Sequence, residues 1–492
     1  MEIFSIIEAM SPIIVCAIAI IFFKKSTIFA ALVGLFLAIL EATFSKKFNI
    51  NSNNSIISII SSSCILTFSA VIVIVPGLYL NAILKGQGKL IDLVNWISEF
   101  KIDKEKLALI LLLGILPALE SLTGFGVSLF LGIPIFFKLF EEEKAYKLSM
   151  LGMMILPWGT LGLATVVGAG LSGYSIKELG NATSEMSFLI FPIISLISLK
   201  IMNKLSLWYI GIIFGMLFSI LLHVFNYYGY VEVSAILAGL LTAIIGFLVL
   251  KNRKMEGDGL GNSNLFMRLK LISPYLSILL IILITRSINS VHIFLNKLFV
   301  IKSGSVSLSI FNSPGIVLLL VSMICYFVNP IKIEHKPLWK RVRIACLSLF
   351  CFILLAQTMN QVGMVTTLAK AIQNIGGASS VIILSPLLGV MSGFITGSNL
   401  GGNALVMTVQ QHIGESLHHG LLFSALQNSA AGHAAFTSLP IIVLIITIAK
   451  DVNMNSSTWD IKENHLLKFG LSVLLINYIV LVLSLIFLYS LK

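Results

Sequence analysis

The feature that most constrains this chain is a series of apolar runs, each about as long as a bilayer is thick. Ser206–His223, Val233–Leu250 and Gly470–Leu491 carry no Asp, Glu, Lys or Arg. A helix rises about 1.5 Å per residue, so roughly 20 such residues cross the ~30 Å hydrocarbon core. Strand alternation of the outer-membrane barrel type is absent. Composition agrees: 57% of the 492 residues are hydrophobic and 11% charged, where soluble domains have about one quarter charged. A water-soluble fold of this size could not hide so much apolar surface. The sequence therefore predicts an all-α polytopic membrane protein.

The net charge of +12 does not point to nucleic acid. Most Lys and Arg lie in short polar gaps between apolar runs, as the positive-inside bias requires. Cys16, Cys64, Cys325, Cys346 and Cys351 lie in apolar stretches without CxxC spacing, so neither a disulfide framework nor a zinc site is expected. The N-terminus lacks a basic n-region and reads as the lead-in to the first span. GxxxxGK[ST], HExxH and GxSxG are absent, as is GxGxxG at a strand–helix junction. No cofactor or metal is expected, and the chain does not read as an enzyme. Transport through it would draw on an ion gradient or be passive.

About 12 full spans are predicted. The first half holds 5–23, 26–43, 57–84, 148–172, 187–203, 207–228 and 233–250. The second holds 271–290, 314–329, 344–360, 418–449 and 466–490. Two further apolar segments, 106–140 and 379–411, are interrupted by Gly, Ser, Thr and Asn and read as re-entrant hairpins. Each follows an amphipathic stretch (86–99 and 362–376), and each precedes a span with a second polar break. Those breaks are Pro157–Gly162 within 148–172 and Gln427–Gly432 within 418–449. The layout predicts two repeats, 1–250 and 271–492, around a cytoplasmic loop at 251–270. Basic clusters at Lys251–Lys270 and Lys332–Arg343 place both loops inside and both termini outside, with Lys46, Lys47 and Lys370 against that count. One hairpin then enters from each side, which is an inverted repeat of the kind secondary transporters use.

Three motifs could carry chemistry. The first is Pro117–Ser128, PALESLTGFGVS. Gly124 and Gly126 let the backbone leave the helix, and non-helical backbone at membrane depth needs partners. Ser121, Thr123 and Ser128 supply some. A helix starting near Val127 would aim its N–H groups at the break, which suits a carboxylate; close helix packing through glycine is the competing use. Glu120 stands beside the break. An ionisable group inside a span is a functional candidate, here for carrying a proton; helix capping or pairing with a cation are the alternatives. The second motif is Gly393–Leu405, GFITGSNLGGNAL. Its glycines with Thr396, Ser398, Asn399 and Asn403 exceed what a packed helix uses, and the amides and hydroxyls could hold a carboxylate or hydroxyl. The third is Gln427–Pro440, where His433 could titrate or serve as a hydrogen-bonded packing residue. His412, His418 and His419 fall in a predicted outer loop, and no metal site is expected there. Arg286, near a span end, is expected to snorkel to the interface.

These motifs together resemble the bacterial L-lactate permease family. Glu120-Ser-Leu-Thr-Gly-Phe-Gly126, Gly393-Phe-Ile-Thr-Gly-Ser-Asn399 with Asn403-Ala-Leu405, and Leu156-Pro-Trp-Gly-Thr-Leu-Gly162 carry the resemblance. It covers most of the chain. Leu400-Gly401-Gly402 and Gly432-His433-Ala434 depart from the family's pattern. The resemblance implies a symporter of lactate, glycolate and related 2-hydroxy monocarboxylates with protons, in a bacterial inner membrane. Ser121, Thr123, Gly124, Phe125, Gly126, Thr396, Gly397, Ser398, Asn399 and Asn403 would then line the substrate site. Glu120 or His433 would carry the proton. The alternatives are a sodium-coupled organic-anion transporter, a non-transporting scaffold or sensor, and a membrane enzyme. The longest polar break, about 20 residues at 251–270, is short for a scaffold's interaction domain. No clustered acid–base or metal set supports an enzyme.

Overall fold

The computed structural model describes residues 2–45, 47–49, 53–100, 102–124, 126–250, 262–303, 306–374, 377–452 and 463–491. The chain is a nearly all-helical polytopic membrane protein. Ten described helices are long and apolar enough to cross a bilayer, or twelve if each bent pair counts as one span. Large apolar side chains such as Phe36, Leu248, Phe327 and Phe487 are exposed, as a lipid-facing surface requires.

In chain order, α1 (Glu2–Ile21), α2 (Thr27–Phe44) and α3 (Asn53–Gly86) lead to the short amphipathic α4 (Lys89–Ser98). Leu90, Leu93, Val94 and Ile97 form the buried face of α4. Next, α5 (Lys104–Ile110) runs through a wide π-turn (Leu111–Ile115) into α6 (Leu116–Thr123), and α7 (Val127–Leu139) follows. Pro117 accounts for the wide turn: it has no N–H for the carbonyl four residues back, and its ring crowds that carbonyl.

The bent spans come next. α8 (Glu142–Leu151) meets α9 (Gly159–Ser172) at a 48° bend, and α10 (Ile176–Met186) meets α11 (Ile190–Ile201) at 43°. The N-terminus of α10 is fixed by a capping box between Ser175 and Glu178. The first half closes with α12 (Trp208–Tyr227) and α13 (Ser234–Leu250).

The second half holds α14 (Asn262–Ser287), α15 (Asn289–Lys297), the antiparallel pair β1 (Val300–Ser303) and β2 (Val306–Ser309), α16 (Pro314–Val328), α17 (His335–Gln361) and α18 (Met364–Asn374). It ends with α19 (Gly377–Thr396), α20 (Asn399–Glu415), α21 (Gly420–Ala435), α22 (Leu439–Val452) and α23 (Glu463–Leu491). The expected loop at 251–270 is helical from Asn262 onward, and residues 251–261 lie outside the described ones.

In both of these segments two consecutive helices pack against each other across a glycine turn. Around Gly124, Glu120 bonds Ser128, and a Cβ on Gly132 would touch Leu116. Around Gly397–Ser398, Gln410 Nε2 donates to Ser385 O, and a Cβ on Gly402 would meet Gly393. Such nested pairs are the signature of antiparallel arms.

Three expectations are corrected. Gln427–Gly432 is continuous helix in α21, and the interruption falls at 436–438, just before Pro440. Pro440 sits in the first turn of α22, where its missing N–H is harmless. The glycines of the second motif serve packing more than turning: only Gly397 has a left-handed φ, +66°. Gly389 and Gly393 instead form a small-residue face against Ala430 and Ala431 of α21. Arg286 does not snorkel. It is 11% exposed and forms a two-pronged pair with the 12%-exposed Glu232, at 2.7 and 2.8 Å. Its guanidinium also donates to Asn312 O.

Candidate functional site

The first hairpin turn is built around a buried carboxylate. Glu120 accepts from Gly126 N (3.1 Å), Ser128 N (3.3 Å) and Ser128 Oγ (2.7 Å). Gly126 is the N-cap of α7 in a left-handed conformation, φ +77°. The helix end that the sequence offered to an anion is thus held by the chain's own carboxylate. Charge-assisted bonds to N–H donors at the positive end of a helix are the stronger kind.

The other residues of this turn are buried and mostly internally satisfied. Ser121 Oγ donates to Trp158 O at 2.8 Å. Thr123 Oγ1 donates back to Leu119 O, one turn earlier on its own helix. Phe125 lies outside the described residues. Gly124 (φ +67°) packs so closely on α9 that an added Cβ would stand 1.7 Å from Thr160 Oγ1.

That part of α9 is strained. Thr160, Leu161 and Gly162 have successive left-handed φ values of 52°, 57° and 66°, and all three are buried. A non-glycine residue held there costs of order 1–3 kcal/mol. Surrounding contacts keep the segment in place: Thr165 Oγ1 donates to Pro157 O at 2.8 Å, and Trp158 Nε1 to Asn226 Oδ1 at 3.1 Å.

The second hairpin turn reaches the same segment. Ser398 caps α20, and Thr396 Oγ1 donates to Ser392 O and lies 2.9 Å from Ser398 O. A Cβ on Gly397 would lie 3.2 Å from Ser438 Oγ. Asn403 Nδ2 donates to Ala164 O on α9 (3.0 Å) and to Asn428 Oδ1 on α21 (2.8 Å). Asn399 Nδ2 donates to the same Asn428 oxygen at 3.0 Å. One segment therefore joins the two turns: Gly124 meets Thr160, and Asn403 meets Ala164 four residues on.

Asn428 is the residue that the sequence reading left out of the site. It is fully buried and links α20, α9 and α10, donating to Thr165 Oγ1 (2.8 Å) and Thr183 Oγ1 (3.1 Å). An Asn in the middle of an otherwise small-residue helix was the available signal. His433 sits elsewhere on α21. Its Nε2 lies 3.0 Å from Ser187 Oγ, and its ring meets Phe191 edge-on at 5.7 Å between centroids. Ser187 in turn pairs with Ser429. None of these bonds reaches either hairpin turn.

A cavity of about 370 Å³ lies beside α9. Leu161 and Leu163 line it, along with Leu66 of α3, and Glu232 and Asn312 contribute its polar side. It touches the strained run directly, and none of the turn residues themselves lines it.

Two comparisons bear on this arrangement. Residues 274–491, which include the whole second hairpin and α21, match the family described as L-lactate permease. An L-lactate permease of Streptococcus iniae is 21% identical over 452 residues, covering 86% of this chain and 94% of that protein. Over its second half the chain is similar to the L-lactate permease family. The relative's match extends well beyond residues 274–491, so the similarity takes in most of the first half too. The glycine-bounded turns and the Asn-rich start of α20 are the elements that converge on α9.

Proposed function

We propose that the chain is a proton-coupled transporter of small monocarboxylates of the lactate class, acting as a multi-pass permease of a bacterial inner membrane and not as an enzyme. In this reading the hairpins enter from opposite faces as an inverted repeat, with both termini outside. The substrate site lies where the two turns meet α9. The observation that carries the coupling is the seat of Glu120 on the first turn of α7.

Three donors converge there, and they bind one carboxylate at a time. Ionised Glu120 occupies them itself. A protonated Glu120 has lost its charge and part of its acceptor capacity, so Gly126 N, Ser128 N and Ser128 Oγ become available to the carboxylate of a substrate. Substrate and ionised Glu120 exclude each other, so an anion enters only together with a proton. His433 is less suited to the role, because its bonds run to Ser187, away from both turns.

Ser128→Ala tests this assignment. The N–H donors remain and one charge-assisted hydroxyl bond to the substrate is lost, worth about 1.5 kcal/mol; at acidic pH, where Glu120 is already protonated and loses no such bond of its own, the KM for lactate in proteoliposomes should rise by about 10-fold. A KM equal to that of the wild type would remove α7 from the substrate site.

A further inference from the structure

The amides of the second turn are oriented by a chain of obligatory donors. Thr165 Oγ1 gives its proton to Pro157 O at 2.8 Å, and Thr183 Oγ1 gives its proton to Leu179 O at 2.6 Å. Each hydroxyl can therefore meet Asn428 only as an acceptor. Asn428 must turn its Nδ2 to them, which aims its Oδ1 at α20. There it accepts from Nδ2 of both Asn399 and Asn403, and Asn403 Nδ2 also donates to Ala164 O. The wiring leaves both α20 amides with nitrogen engaged and oxygen turned away. Asn399 and Asn403 are 3% and 0% exposed, and neither Oδ1 has a donor.

A buried acceptor without a donor is unfavourable until something supplies one. We propose that Asn399 Oδ1 and Asn403 Oδ1 recognise the hydroxyl of a 2-hydroxy monocarboxylate, so that these two residues set a preference for hydroxylated over unsubstituted acids. Thr165, Thr183 and Asn428 are positioning residues that keep the oxygens facing the substrate. This assignment rests on the transport reading above and adds the part of the substrate that the second turn reads. A hard cation fits the pair less well, since it gathers about six oxygens. Two more amide oxygens on α20 and α21 lack a donor: Gln427 Oε1, which lies against Gly389 of α19, and Gln410 Oε1, whose Nε2 is bound to Ser385 O. Among the described residues no carboxylate joins the network.

Counterflow of labelled lactate through the purified full chain in proteoliposomes tests the proposal. Lactate, propionate, glycolate and acetate serve as competitors, with and without sodium. Propionate should need a concentration on the order of 10- to 100-fold higher than lactate for equal inhibition, and acetate likewise against glycolate. Thr165→Val with Thr183→Val should shrink that ratio several-fold, while Thr165→Ser with Thr183→Ser should keep it. Equal inhibition by lactate and propionate, with exchange intact, overturns this proposal and leaves the transport reading standing. No exchange of any monocarboxylate overturns both. A preference for the hydroxyl acids that appears only in sodium overturns it in favour of a cation at the two oxygens.

Discussion

Replacing Glu120 by Gln should lower proton-driven lactate accumulation by about 100-fold or more and flatten its pH profile. The wild-type carboxylate holds three donors at the start of α7, and hydrogen bonds to a charged group contribute about 1.5–3 kcal/mol each. Gln keeps one acceptor oxygen and sets an NH2 group against N–H donors, so about two of those bonds are lost. More decisively, Gln is neutral at every pH and cannot take up and release a proton. A purely structural cap would behave differently: the variant would be less stable, but whatever protein folded would keep the wild-type pH profile. Uptake measured across pH 5 to 8 separates the two, and an unchanged profile removes Glu120 from the coupling step.

The second large effect is expected at Gly393. A Cβ there would stand 2.0 Å from Ala431 O and 2.6 Å from the Ala431 Cα and carbonyl carbon. These are backbone atoms of α21, which no rotamer change can move aside. Gly389, one turn earlier, faces Ala430 Cβ in the same way. Gly393→Ala must therefore push α19 away from α21. The bonds from Gln427 Nε2 to Ser392 Oγ (2.9 Å) and Gly402 O (3.1 Å) span that interface. Overpacking of this kind destabilises by about 3 kcal/mol or more. The variant should unfold at a clearly lower temperature in detergent and transport poorly. Gly363→Ala is the matched control: its φ is +83° but nothing lies within 4 Å of the added Cβ, so only backbone strain of about 1 kcal/mol applies. Equal melting temperatures for the two variants would contradict the close α19–α21 packing.

The spans were legible because lipid demands long uncharged runs, and the turns at Gly124–Gly126 and Gly397 were legible because only glycine enters left-handed backbone freely. What stayed hidden depends on distance along the chain. Thr165 and Thr183 orient an Asn more than 240 residues away, and nothing local to Asn428 announces them. Arg286 looked like an interfacial cation because its partner Glu232 lies 54 residues earlier. The sequence left the N–H groups of α7 open to a ligand; the hairpin brings Glu120 back to them across eight residues. The left-handed run at Thr160 and Leu161 could not be read at all, since neither residue type favours that conformation.

In the proposed mechanism Glu120 and an external carboxylate compete for one set of donors, and that competition ties anion to proton. Proton movement into wild-type proteoliposomes, followed with an internal pH dye under an inward lactate gradient and no imposed pH difference, tests the tie most directly. Sodium-free buffer and protein-free vesicles set the baseline for diffusion of the neutral acid. Interior acidification well above that baseline, absent in Glu120→Gln vesicles, is the expected result. Lactate entry with no acidification beyond the baseline would contradict it.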